Sequence, residues 1–122
     1  MTGKVSVLLV EDEFLIRMDI ADQLSEEGYR VFEASNADDA VRLLEKEPSI
    51  RILFTDIDMP GSMDGLRLAA AVRDRWPPVK IVVTSGHRLV EITDLPEGSV
   101  FYPKPYHHKA VVASFRELLA DT

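Results

Sequence analysis

Short, almost wholly apolar runs alternate along this chain with longer amphipathic stretches. That alternation is the pattern of β/α units wound around a parallel sheet. Val5-Ser6-Val7-Leu8-Leu9-Val10 is apolar at nearly every position, which predicts a strand covered on both faces rather than one side in water. Ile52-Leu53-Phe54-Thr55 and Ile81-Val82-Val83-Thr84 read the same way. Tyr29 to Ala34 is more mixed and suits an edge strand, and Val100-Phe101-Tyr102 is the last and shortest candidate. Between them lie stripes at helical spacing: Ile16, Ile20, Ala21 and Leu24, stopped by Gly28; Ala37, Ala40, Val41 and Leu44, with Asn36 as N-cap and Asp39 three residues on; Leu68, Ala69, Val72 and Trp76, closed by Pro77 and Pro78; and Val111, Val112, Phe115, Leu118 and Leu119. Pro96 and Gly98 leave room for only a short helix between Arg88 and Gly98. Five strands and about five helices make a small doubly wound α/β domain.

The 122 residues fit one domain with a core of its own, and 46% hydrophobic with 29% charged residues is an ordinary globular balance. The absence of cysteine excludes disulfides and thiolate metal sites. A net charge of -7, with no lysine- or arginine-rich face, argues against nucleic acid as a partner. The run Val5 to Val10 is too short for a membrane span and is followed at once by Glu11 and Asp12, so a cytoplasmic protein with no membrane partner is the expectation.

Doubly wound sheets place their ligands beyond the carboxyl ends of the strands. In this chain those ends carry Glu11, Asp12 and Glu13; Asp56 and Asp58; Thr84, Ser85 and Gly86; and Lys104 with Pro105. A parallel sheet brings all of them to one edge. Carboxylates so close repel one another, and stability does not require them there. Hard oxygen ligands of this kind suit Mg²⁺. With Lys104 as a second positive charge, they could hold an anionic phosphoryl group beside a carboxylate nucleophile.

Val-Glu-Asp-Glu (10 to 13), Thr-Asp-Ile-Asp-Met-Pro-Gly (55 to 61), Met-Asp-Gly (63 to 65), Thr-Ser-Gly (84 to 86) and Lys-Pro (104 to 105) together resemble the signature of response regulator receiver domains. The likeness is to the single-domain, chemotaxis-regulator type and covers essentially the whole chain. It implies a flavodoxin-like (βα)5 fold with strand order 2-1-3-4-5, and one receiver domain over residues 1–122. It implies Asp56 as phosphoacceptor in a Mg²⁺-dependent reaction. Glu11 and Asp12 would organise the metal with Asp56, Asp12 being the direct ligand, and the Asp58 carbonyl would complete the protein's share of the shell. Lys104 would pair with the phosphoryl oxygens, and the Lys104–Pro105 bond would be cis. Ser85 would hydrogen-bond the phosphoryl group after transfer, with Thr84 the alternative hydroxyl. Phe101 matches the aromatic switch position, and His87 and Asp58 the positions that set dephosphorylation rate.

The implied donor is a phosphohistidine on a sensor histidine kinase or a histidine phosphotransfer protein. The implied output is contact with a downstream protein, homodimerisation or relay. The chain departs from the family pattern in an extra residue, Ser62, in a shortened stretch between Ser85 and Lys104, and in phenylalanine at 101 instead of the more familiar tyrosine. The shortened stretch leaves the helix before the last strand, part of the family's output surface, stunted or absent. His107 and His108 read as solvated residues rather than zinc ligands. Two rival functions fit the same residues. One is a phosphorylation-independent binding module on this fold. The other is a Mg²⁺-dependent phosphohydrolase with Asp58 as acid/base two residues after the nucleophile, for which so short a chain offers no cap domain.

Overall fold

The structure is a computed structural model and describes residues 4–58, 64–86 and 95–120. Five parallel strands form one sheet in the order β2-β1-β3-β4-β5: β1 Ser6–Val10, β2 Arg30–Ala34, β3 Ile50–Asp56, β4 Lys80–Ser85 and β5 Val100–Pro103. The helices are α1 Phe14–Glu26, α2 Ala37–Lys46, α3 Gly65–Arg75 and α4 His108–Ala120. The doubly wound fold and its strand order therefore stand as the sequence implied. Most of the segment expected to hold a short helix between β4 and β5 lies outside the described residues, as do Ser62 and His87. Among the described residues no helix is long and apolar enough to cross a membrane.

The near-continuous apolar runs become central strands because both faces of the sheet are covered. One face packs Leu8, Val10, Leu53, Ile81 and Val83 against Ala40 and Leu44 of α2 and Leu68 and Val72 of α3. The other packs Val7, Leu9, Ile52, Phe54 and Val82 against Leu24 of α1 and Val112 and Phe115 of α4. Phe54, Tyr29 and Phe115 meet edge to face there, the Phe54–Phe115 centroids 5.8 Å apart. Alternation then places Glu11, Asp56 and Thr84 on the α1/α4 face and Ser85 on the other.

Local signals end the elements as their chemistry requires. Gly28 stops α1 with φ +97°, and the bonds Gly28 N–H to Ser25 O (3.1 Å) and Tyr29 N–H to Leu24 O (3.1 Å) make the paired closure typical of a left-handed C-terminal residue. The Asn36 side chain accepts from Asp39 N at 2.8 Å and caps α2. Asp64 does the same for α3, accepting from Arg67 N at 2.9 Å. At the first residue of α3 the backbone comes down directly on the end of β3. The Gly65 N–H bonds the Ile57 carbonyl at 3.0 Å. A Cβ there would overlap the Asp56 carbonyl and stand 2.6 Å from Ile57 Cα.

The α1 stripe is buried only at its far end. Ala21 and Leu24 are in the core, whereas Ile16 is 38% exposed and Phe14, Leu15 and Met18 still more so. Ile16 is thus a groove-lining residue at the surface rather than part of the core.

Candidate phosphoacceptor site

β1 and β3 end side by side, in register from Val10 with Thr55, so Glu11 and Asp56 leave the sheet as neighbours. Asp56 pairs across β4 with Thr84, and Ser85 across β5 with Pro103, which delivers Lys104 to the same edge. Further backbone bonds fix this rim: Ile57 N–H to Thr84 O at 2.8 Å and Lys104 N–H to Ser85 O at 2.9 Å. Lys104–Pro105 is cis.

Lys104 Nζ donates to Asp56 Oδ2 at 2.7 Å and to Glu11 Oε1 at 3.3 Å. Glu11 Oε2 accepts from the Glu13 N–H at 3.1 Å, and Asp56 Oδ1 from the Asp58 N–H at 3.0 Å. Glu11 is only 2% exposed and Asp56 5%. Carboxylate oxygens of Glu11, Asp12 and Asp56 lie within 4.8 Å of one another. Three carboxylates against one ammonium leave two negative charges when all are ionised. Burial pushes Glu11 up to about 7, aided by Asp12 and Asp56 and opposed by the Glu13 amide and Lys104. Burial pulls Lys104 down, but its hydrogen bond to Asp56 and the charges of Asp56 and Glu11 outweigh that and hold it above the ordinary lysine value. An all-oxygen donor set with more carboxylates than ammonium groups fits a hard divalent cation such as Mg²⁺.

The other expected residues divide between the two sides of this cluster. The Asp58 carboxylate stays outside it and accepts from Ser85 Oγ at 2.6 Å. Thr84 stands next to Asp56 in the ladder, its Oγ1 buried without a partner among the described residues. It borders a void of about 10 Å³ shared with Glu11, Asp56 and Tyr106. Phe101 is half-buried against the α2/α3-side core and borders a groove of about 440 Å³ with Leu95, Pro96 and Ser99. His107 and His108 are exposed and stacked on each other, and neither joins the group formed by Glu11, Asp12 and Asp56.

Two features escaped the sequence reading. Tyr106 packs edge-on to Phe54 (5.9 Å) and walls the cluster, and burial pushes its phenol up to about 12. An aromatic residue directly after Lys-Pro was the available signal. The exposed apolar start of α1 flanks a groove of about 540 Å³ lined by Ile16, Ile20, Lys104, Pro105 and Tyr106.

Residues 7–95 match the response regulator receiver domain family, and the chain belongs to that family. Over 98% of its length it is 32% identical to the sensor kinase CckA of Brucella abortus, of which it covers 13%. It is 31% identical over 90% of its length to an NtrX-like response regulator of Rickettsia felis, covering 24% of that protein. The chain thus spans a quarter or less of these curated relatives. A response regulator receiver protein from Sinorhizobium medicae superposes with a TM-score of 0.88 at 27% identity, over 96% of this chain and 95% of that one.

Proposed function

We propose that this domain accepts a phosphoryl group on Asp56 from a phosphohistidine of a sensor histidine kinase or histidine phosphotransfer protein. The carrying observation is the buried Asp56 carboxylate with Lys104 Nζ at 2.7 Å, inside a cluster of three carboxylates served by that one ammonium. Glu11, Asp12 and Asp56, with the Asp58 carbonyl, would hold Mg²⁺, which when bound neutralises charge on the transferring group.

In the transfer, an Asp56 oxygen bonds to phosphorus as the P–N bond to the donor imidazole breaks, and its electron pair leaves on the imidazole nitrogen. The Asp58 N–H and Lys104 hold the carboxylate in one orientation beforehand, so little ordering remains for the reaction step. Afterwards Lys104 is placed to pair with a phosphoryl oxygen. Ser85 would join it by exchanging the Asp58 carboxylate for the new anion. That exchange would tie the ends of β4 and β5 to the phosphorylation state, with Phe101 as the switch residue on β5. A protein donor suits the apolar side chains of Phe14, Leu15 and Met18 exposed on the first turns of α1, the helix that follows Glu11 and Asp12, since exposed apolar surface commonly marks contact surface.

The test is intact mass after incubation with phosphoramidate and Mg²⁺, for the wild type and Asp56→Ala. One phosphate adduct is expected on the wild type, lost without metal and lost in the variant. No adduct under any donor or metal condition would sink the phosphoacceptor reading and favour a phosphorylation-independent binding module. Sustained turnover of a phosphomonoester would point to a hydrolase instead.

A further inference from the structure

Arg17, on the first turns of α1, takes no part in the chemistry above, yet its side chain is only 15% exposed. Its Nη1 donates to the backbone carbonyl of Glu11 at 2.9 Å, and its Nε donates to Glu33 Oε1 at 3.2 Å. The Phe14 ring lies 5.5 Å from the guanidinium carbon. One side chain thus bridges the loop after β1, helix α1 and the end of β2.

The Glu11 carbonyl belongs to the peptide unit that joins Glu11 to Asp12. That unit is planar, so fixing its oxygen fixes the direction in which the chain enters Asp12. The N–H on the other side of Glu11 is already held by the Ala34 carbonyl at 3.1 Å. The Glu11 main chain is therefore clamped on both sides, by β2 on one and by Arg17 on the other. Glu33 in turn fixes the plane of the guanidinium, which needs two acceptors to be held in one orientation.

The charge of Arg17 pairs with Glu33 and offsets nearby carboxylates in the metal-free protein, but it does not favour a bound metal. A cation beside a cation site weakens that site by Coulomb repulsion. We propose that Arg17, braced by Glu33, is a positioning residue that presets the carboxylates of Glu11 and Asp12 for a divalent cation. This rests on the reading of those residues as metal ligands, and it makes a prediction opposite in sign to a plain charge effect.

The experiment is calorimetric titration of Mg²⁺ into the whole chain, for the wild type, Arg17→Met, Arg17→Lys and Glu33→Gln. The Asp12 amide resonance is followed in the metal-free proteins. Outer-shell partners of metal ligands are worth about tenfold to 100-fold in affinity. Arg17→Met should weaken Mg²⁺ binding by about tenfold or more and shift the Asp12 amide before any metal is added. Arg17→Lys keeps the charge but not the fork, so it should also bind more weakly, and it serves if the Met variant does not fold. Glu33→Gln should lose a few-fold. Unchanged or tighter binding in Arg17→Met, with the Asp12 amide unmoved, would overturn the proposal. If the wild type itself binds no Mg²⁺, the metal reading falls and this inference falls with it.

Discussion

Among the described residues, two groups of ion pairs stand at opposite extremes of exposure. Arg42–Asp39 and Arg75–Glu45, each at 2.9 Å, and Arg116–Glu27 at 3.4 Å are open to water on both partners. The Lys104 pairs with Asp56 and Glu11 have similar lengths, but the carboxylates are 5% and 3% exposed. Solvent screens the first group, whose members are worth about 0–1 kcal/mol each. The second group pays several kcal/mol of desolvation per ion, and its carboxylates outnumber its ammonium. The surface pairs can be read as tuning of stability, whereas the buried cluster costs stability and needs a functional reason to persist.

The largest break in that contrast should come from Lys104→Met. It leaves Asp56 and Glu11 buried without a counter-charge and should cost about 2–3 kcal/mol in urea unfolding of the metal-free protein. A loss under 0.5 kcal/mol would mean water already solvates the cluster.

Next is Tyr106, held by burial at about 12 instead of 10.0. A phenol raised in the fold lends stability that is complete below its unfolded value and is lost as pH rises through the folded one. Stability should therefore fall between pH 10 and 12 by about 1–2 kcal/mol after allowing for its partial exposure. Phenolate absorbance should show a late step that Tyr106→Phe reduces by one phenol. Burial also raises Tyr29, so the test is the size of the late step: no reduction in Tyr106→Phe would place the most perturbed phenol elsewhere.

Asp12→Asn works in the opposite direction. It removes one of three crowded carboxylates and should stabilise the metal-free protein by about 1 kcal/mol, as read from the urea midpoint. Destabilisation would show that repulsion is not what dominates this edge. The smallest effect belongs to Arg42→Ala, expected within about 0.5 kcal/mol of the wild type. A larger loss there would blur the distinction between the two settings.

The strands were legible because burial on both faces forces almost every residue to be apolar, and few other elements tolerate that. The site was legible for a related reason. Glu11, Asp56, Ser85 and Lys104 are polar residues at the point where an apolar run stops, and a parallel sheet sends all such points to one edge. The Asn36 cap and the Gly28 stop could be read because each acts within a few residues of itself. What could not be read depends on contacts distant in sequence. Arg17 finds Glu33 sixteen residues away, and nothing local to it announces that partner. The stripe from Ile16 to Leu24 marks an apolar face but does not say where that face runs past the core into solvent. The bond from Ser85 to Asp58 spans 27 residues and depends on how two strand ends lie side by side.

The meeting of Gly65 with the Asp56 and Ile57 backbone has a mechanical consequence. Side chains in contact can yield by changing rotamer, but main chain lying on main chain has no such slack. The β3/α3 corner is therefore an anvil beneath the Asp56 carboxylate. If Asp56 is phosphorylated as proposed, the displacement would be taken up on the opposite flank, where the side chains of Ser85 and Lys104 reach Asp58, Asp56 and Glu11 and can change rotamer. The message of phosphorylation would leave the site in one direction, toward the ends of β4 and β5.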